Sequence, residues 1–134
     1  MPSPRREPDR RPRALLYRGP DGVLEGVCEY EPATLRPSGV AAGQLSVLAV
    51  RADARHSGVG GSGVDACLEL LRAAAARLQA AEVVVAAVVH DQNQEMARVL
   101  SRREFARSGP LGDDGYAVWA VTLTTSLTTT LTPS

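Results

Sequence analysis

The sequence predicts a single α/β domain with a mixed, largely antiparallel sheet flanked by helices, and three observations carry that prediction. Segments rich in β-branched residues alternate with segments of helical periodicity in the order ββ-β-α-β-α-ββ. Residues 44–89 read as strand, helix, strand, the pattern of a right-handed crossover between parallel neighbours. The 134 residues are 44% hydrophobic and 22% charged, which suits one core.

Residues 14–18 and 23–30 are short β-prone runs. Gly19-Pro20-Asp21-Gly22 between them supplies the fixed and the positive φ of a hairpin turn. Residues 44–50 follow as a central strand with Leu45, Val47 and Ala49 on one face. A helix over residues 61–80 places Val64, Leu68, Leu71, Ala75 and Leu78 at steps of four, three, four and three, a stripe that packs on the sheet. Residues 82–89 are uniformly apolar and β-branched, the pattern of a strand covered on both faces. A second helix over residues 92–103 buries Met96, Val99 and Leu100. Two closing strands, 105–107 and 116–123, are split by glycine and proline. The last of these reads as an apolar edge, which predicts pairing with a second copy as a homodimer.

Composition excludes several functions. All fifteen basic residues are Arg, so lysine-dependent chemistry, from P-loops to Schiff bases, is absent. Cys28, Cys67, His56 and His90 stand singly, without zinc-ligand spacing, and no metal is expected. Cys28 and Cys67 read as small core residues. No apolar run approaches a membrane span, and the charged, proline-rich start carries no export signal, so the expectation is a cytoplasmic chain without a membrane partner. Five Arg and four Pro crowd into the first thirteen residues. Residues 1–12 are read as a disordered arm, 13–123 as the domain and 124–134 as a Thr-rich tail. The arm reads as solvated, so no nucleic-acid partner is expected.

The segment with chemical content is Val50-Arg51-Ala52-Asp53-Ala54-Arg55-His56-Ser57-Gly58-Val59-Gly60-Gly61, a strand end, an unobstructed loop and a helix start. Glycines there let an anion approach the backbone, and a helix N-terminus offers free N–H groups and partial positive charge. Gly58-x-Gly60-x-x-Gly63 also spells a dinucleotide pattern, but Gly58 lies eight residues past Val50, too far from the strand end for that turn. Arg55-x-x-Gly58-x-Gly60 resembles the pyrophosphate loop of the GCN5-related N-acetyltransferases. Asn93-x-x-Met96-Ala97-x-x-Leu100-x-x-x-Glu104-Phe105 is similar to that family's second motif.

The resemblance implies an acyl-CoA N-acyltransferase-like fold, N-terminally short: by this alignment the chain begins at the family's second strand, without the first strand and the two helices that commonly wall the acceptor site. It implies acetyl-CoA as co-substrate, held by the backbone of Leu48, Ala49 and Val50 and by Arg55, His56, Ser57, Gly58, Val59, Gly60 and Gly61, with Asn93 beside the pantetheine arm. The activity implied is direct acetyl transfer to a small-molecule or protein amine.

Where the family often has a carboxylate base the chain has Gln44 and Ser46, and where it often has a tyrosine acid the chain has Leu100. Glu104 replaces the closing glycine. His90, just past the buried strand, is therefore the candidate catalytic base, imidazole being suited to proton transfer near neutral pH. Glu29, Glu31, Tyr116 and Trp119 read as surface, core or interface, and Arg72, Arg77, Arg98, Arg102 and Arg103 as exposed helix faces. The missing base and acid also leave open a second reading, a non-catalytic CoA-binding or protein-interaction module of the same fold.

Overall fold

The structure is a computed structural model that describes residues 13–18, 21–50 and 59–125. The proposed arm at 1–12, the loop residues Arg55, His56, Ser57 and Gly58, and most of the proposed tail lie outside the described residues.

Six strands and two helices follow in the expected order: β1 (Arg13–Arg18), β2 (Leu24–Leu35), β3 (Ala41–Val50), α1 (Val59–Arg77), β4 (Glu82–His90), α2 (Gln94–Ser101), β5 (Ala106–Arg107) and β6 (Tyr116–Thr124). They form one sheet in the order β1-β2-β3-β4-β6-β5, with β3 and β4 the parallel pair and every other neighbour antiparallel. β2 runs five residues beyond the predicted end because its register shifts between Glu31 and Thr34. Pro32, which cannot donate to a ladder, falls within that irregular stretch.

Both helices pack on one face. The α1 stripe of Val64, Leu68, Leu71 and Ala75 is buried against Cys28 of β2, Ala41 and Leu45 of β3 and Val83, Val85, Ala87 and Val89 of β4, while Leu78 at its end is 37% exposed. Gly43 permits the close approach of α1 to β3, since a Cβ there would lie 2.7 Å from Leu71 Cδ2. From α2, Leu100 joins the same core, with Met96 and Val99 packed partly buried against it.

The opposite face has no helix on it among the described residues. Alternation turns Val88, Tyr116 and Val118 outward at 48%, 45% and 41% exposure, with Val84 and Ala86 half-buried. The expectation that β4 is covered on both faces is thus corrected: its valine run has one buried face and one open one. β6 is corrected too. It lies between β4 and the two-residue β5, so it is not a free edge along Trp119 and Ala120.

The last strand extends past residue 123. Thr124 closes β6 opposite Glu82, and Thr125 is 2% exposed, its hydroxyl donating to Ala80 O at 2.6 Å and its N–H to Ala81 O at 2.9 Å. No helix among the described residues is long and apolar enough to cross a membrane.

Candidate functional site

The parallel pairing of β3 and β4 ends at Leu45 and Ala87. Beyond it, each strand keeps only its outer partner. β3 continues against β2 through Cys28↔Leu48, Val27↔Ala49 and Gly26↔Val50, and β4 continues against β6 through Val88↔Val118, Val89↔Ala117 and His90↔Tyr116. The two facing edges therefore diverge with backbone groups that no described strand satisfies. A polar extended ligand can take up such groups as an added strand would.

A cavity of about 270 Å³ occupies this divergence and runs through the sheet. On the helix side it is walled by Cys28, Leu45, Val64, Ala87 and Leu100, and on the open side by Ser46, Val88, His90 and Tyr116. Asn93 and Met96 line it from α2 and its cap. The result is an apolar channel with a polar rim, the usual composition of a small-molecule site.

Asn93 is the α2 N-cap: its Oδ1 accepts the Met96 N–H at 3.1 Å, which stabilises the helix start. That bond leaves the Nδ2 amide as a donor at the channel wall. His90 ends β4 on the open side, where Nδ1 lies 3.2 Å from Asp91 Oδ1 and 3.2 Å from the Gln92 backbone N–H, which donates to it. Accepting the Gln92 N–H puts the lone pair of the neutral ring on Nδ1 and its proton on Nε2; the other tautomer, with Nδ1–H bonded to the Asp91 carboxylate, gives up the Gln92 contact and leaves Nε2 as the basic nitrogen. The imidazole stands edge-on to Tyr116, with ring centroids 4.9 Å apart and planes at 86°. Gly115 packs over its far side in a left-handed conformation, φ 84°, and a Cβ there would lie 2.6 Å from Nε2.

The structure brings His90 and Asn93 to one channel, with Leu48, Ala49 and Val50 along the diverging stretch of β3. Val59, Gly60 and Gly61 form the first turn of α1. Gly61 faces the Arg103 guanidinium, which forks onto Asp65 with Nε–Oδ1 at 2.7 Å and Nη2–Oδ2 at 3.1 Å and donates from Nη1 to Val99 O at 3.0 Å. Arg103 is therefore a tie between the two helices, correcting its reading as an exposed face. Gln44 lies outside the channel, in a surface cavity with Glu31 and Arg36, whereas Ser46 lines it. Leu100 is fully buried in the channel wall. Glu104 holds the left-handed position, φ 68°, that a helix-closing glycine would take.

Two channel residues were missed. Tyr116 arrives because β4 and β6 register sets it beside His90, and Cys28 because β2 lies under α1; neither has a local sequence signal. Among the described residues no group of three His, Cys, Asp or Glu side chains could hold a metal ion.

A mixed sheet whose parallel central pair splays around a through-channel at the start of a crossover helix is the acyl-CoA N-acyltransferase fold, and the chain has it. The likeness is structural: no protein-family model matches the chain, and no curated protein matches it. The PaiA N-acetyltransferase of Thermoplasma acidophilum, solved with coenzyme A, superposes with a TM-score of 0.61 at 15% identity, over 84% of this chain and 61% of that one. Nourseothricin acetyltransferase gives 0.55 at 18% identity over 87% and 66%. Arabidopsis thaliana Naa50, solved with the bisubstrate analogue CoA-Ac-MVNAL, gives 0.57 at 13% over 77% and 67%. The chain thus spans about three fifths to two thirds of the length of these proteins.

Proposed function

We propose that the chain is an acetyl-CoA-dependent N-acetyltransferase acting on an amine of a small molecule or a protein. The observation that carries this reading is the divergence of β3 from β4, which opens a channel through the sheet where unpaired backbone edges, the Asn93 amide and the His90 imidazole meet. The structural likeness to enzymes solved with coenzyme A or its analogues supports the same reading. In it, the pantetheine arm adds to the free edge of β3 along Leu48, Ala49 and Val50, with the Asn93 Nδ2 donating to an amide carbonyl. The pyrophosphate is taken up by the residues from Arg55 to Gly61, of which Val59, Gly60 and Gly61 are the first turn of α1.

The amine arrives from the open face, where Ser46, Val88 and Tyr116 form the rim. It attacks the thioester carbonyl directly, so no acyl-enzyme forms, and backbone N–H groups of the free edges polarise that carbonyl. His90 takes the ammonium proton at Nε2 in the tautomer whose Nδ1–H is held by Asp91, which replaces the Gln92 N–H as the partner of Nδ1. Tyr116 is the one phenol on the channel wall among the described residues and is the donor we assign to the leaving thiolate. It takes the role that Leu100, a fully buried hydrocarbon, cannot fill.

The test is thiol release on mixing the chain with acetyl-CoA and a panel of amines that includes peptide N-termini, with the acetylated amine confirmed by mass. Amine-dependent release is expected, and His90→Ala should lower turnover by about a hundredfold to ten-thousandfold while acetyl-CoA affinity holds. Binding of acetyl-CoA without release for any amine would favour the second reading, a non-catalytic CoA-binding module, which the residues Gln44 and Leu100 motivate.

A further inference from the structure

Two nucleophilic side chains sit at and just behind the channel wall without a part in acetyl transfer. Cys28 of β2 lines the channel, and Cys67 of α1 lies directly behind it; both are free thiols, 1% and 0% exposed, with their Sγ atoms 2.8 Å apart. We propose that Cys28 and Cys67 form an oxidation site, at which a small-molecule disulfide entering the channel is reduced while an intrachain Cys28–Cys67 disulfide forms.

The geometry sets the order of events. Only Cys28 of the pair faces the channel, so it is the sulfur an incoming disulfide meets. Its thiolate attacks one sulfur of the reagent, forming a mixed disulfide and expelling one small thiolate, which takes up a proton. Cys67 then attacks the Cys28 sulfur of that mixed disulfide, closes the intrachain bond and expels the second small thiol. One reagent disulfide is reduced to two thiols, and two protein thiols are oxidised to one disulfide. The Cys67 S–H donates to the Cys28 sulfur, so the channel-facing atom is the acceptor of the pair's hydrogen bond. That bond, and then burial, hold the Cys28 thiol well above its usual range, while the same bond draws the Cys67 thiol below it; the first thiolate of the pair therefore forms on Cys67, and Cys28 becomes the attacking thiolate by passing its proton to Cys67 across the 2.8 Å contact. Moving from 2.8 Å to the bonded length of ~2.05 Å asks for less than about 1 Å of adjustment between the two sulfurs. The link fastens α1, whose first turn carries Val59, Gly60 and Gly61, to the strand that walls the channel.

The experiment treats the folded full-length chain with hydroxyethyl disulfide, quenches with acid and maps tryptic peptides without reduction. The expected product joins peptide 19–51 to peptide 56–72, with no free thiol left on titration in denaturant and full reversal by dithiothreitol. Because the link closes a long loop, the oxidised chain should melt roughly 10 °C above the reduced one. Cys67→Ala should halt the reaction at a mixed disulfide on Cys28, whereas Cys28→Ala should leave Cys67 unmodified. Two surviving thiols in the wild type, mixed disulfides on both cysteines, a cross-link that forms only in denaturant, or an oxidised chain that melts below the reduced one would each overturn the proposal.

Discussion

Gly115→Ala tests whether the His90 imidazole is held where the site needs it. Gly115 sits at φ 84° over the ring, and a Cβ would stand 2.6 Å from Nε2 and 3.2 Å from Cδ2 and Cε1. Ordinary contact begins at 3.4 Å, and 3.4 − 2.6 gives a displacement of at least 0.8 Å. Placing an alanine in the left-handed region costs about 1–2 kcal/mol, which should lower the melting temperature by several degrees. The imidazole is the far end of a side chain and swings away, so the steric part appears in position rather than in stability. A catalytic group tolerates about 0.5 Å of error, and a shift near 1 Å costs about a hundredfold in turnover. The assay is a kinetic double-mutant cycle with His90→Ala. Gly115→Ala should reduce turnover about a hundredfold in the wild-type background and have no further effect when the imidazole is gone. A readout independent of activity comes from the proton resonances of the His90 ring, which lies edge-on to Tyr116 and should lose its ring-current shift in Gly115→Ala. Equal losses in both backgrounds, or an unmoved resonance, would refute the reasoning.

Three further outcomes follow from local geometry. Glu104→Gly should stabilise the chain by about 1 kcal/mol, read by urea unfolding, because Glu104 holds φ 68° at the end of α2, where Phe105 N–H donates to Leu100 O. Asn93→Ala should cost about 1 kcal/mol by removing the α2 cap, while Asn93→Asp keeps the cap and favours the helix dipole; both should weaken acetyl-CoA in a titration, because each loses the Nδ2 donor. Thr125→Val should cost about 1–3 kcal/mol in the same unfolding experiment, since it leaves the buried Ala80 carbonyl without its hydroxyl partner.

The order of elements was legible because it rests on periodicities that burial enforces, as in the α1 stripe and the alternating Val83, Val85, Ala87 and Val89. What misled was the valine run of β4. A strand with one covered face and one open face normally alternates with polar residues, and here Val84, Ala86 and Val88 are apolar on the open side. Pro32 made β2 look shorter than it is, because a register shift that lets a strand pass a proline cannot be read from the residues alone. Asn93 was legible through its resemblance to the family's second motif and His90 by its place at the end of the buried strand, and both line the cavity. Tyr116 was not: 26 positions separate it from His90, and only the β4/β6 register makes them neighbours. Cys28 and Cys67 were legible as buried, but their contact depends on how α1 settles over β2.

The central claim is that the divergence between β3 and β4 is the acyl-CoA channel, and calorimetric titration of the chain with acetyl-CoA tests it most directly when set beside Ser46→Trp. Ser46 is exposed, follows the last residue of β3 paired to β4, and lines the channel, so an indole there fills the passage without entering the core. Saturable one-to-one binding to the wild type, weakened at least about tenfold in a folded Ser46→Trp chain, a loss of about 1.4 kcal/mol, is the result the account predicts. Absence of binding to the wild type, or equal affinity in both chains, would contradict it.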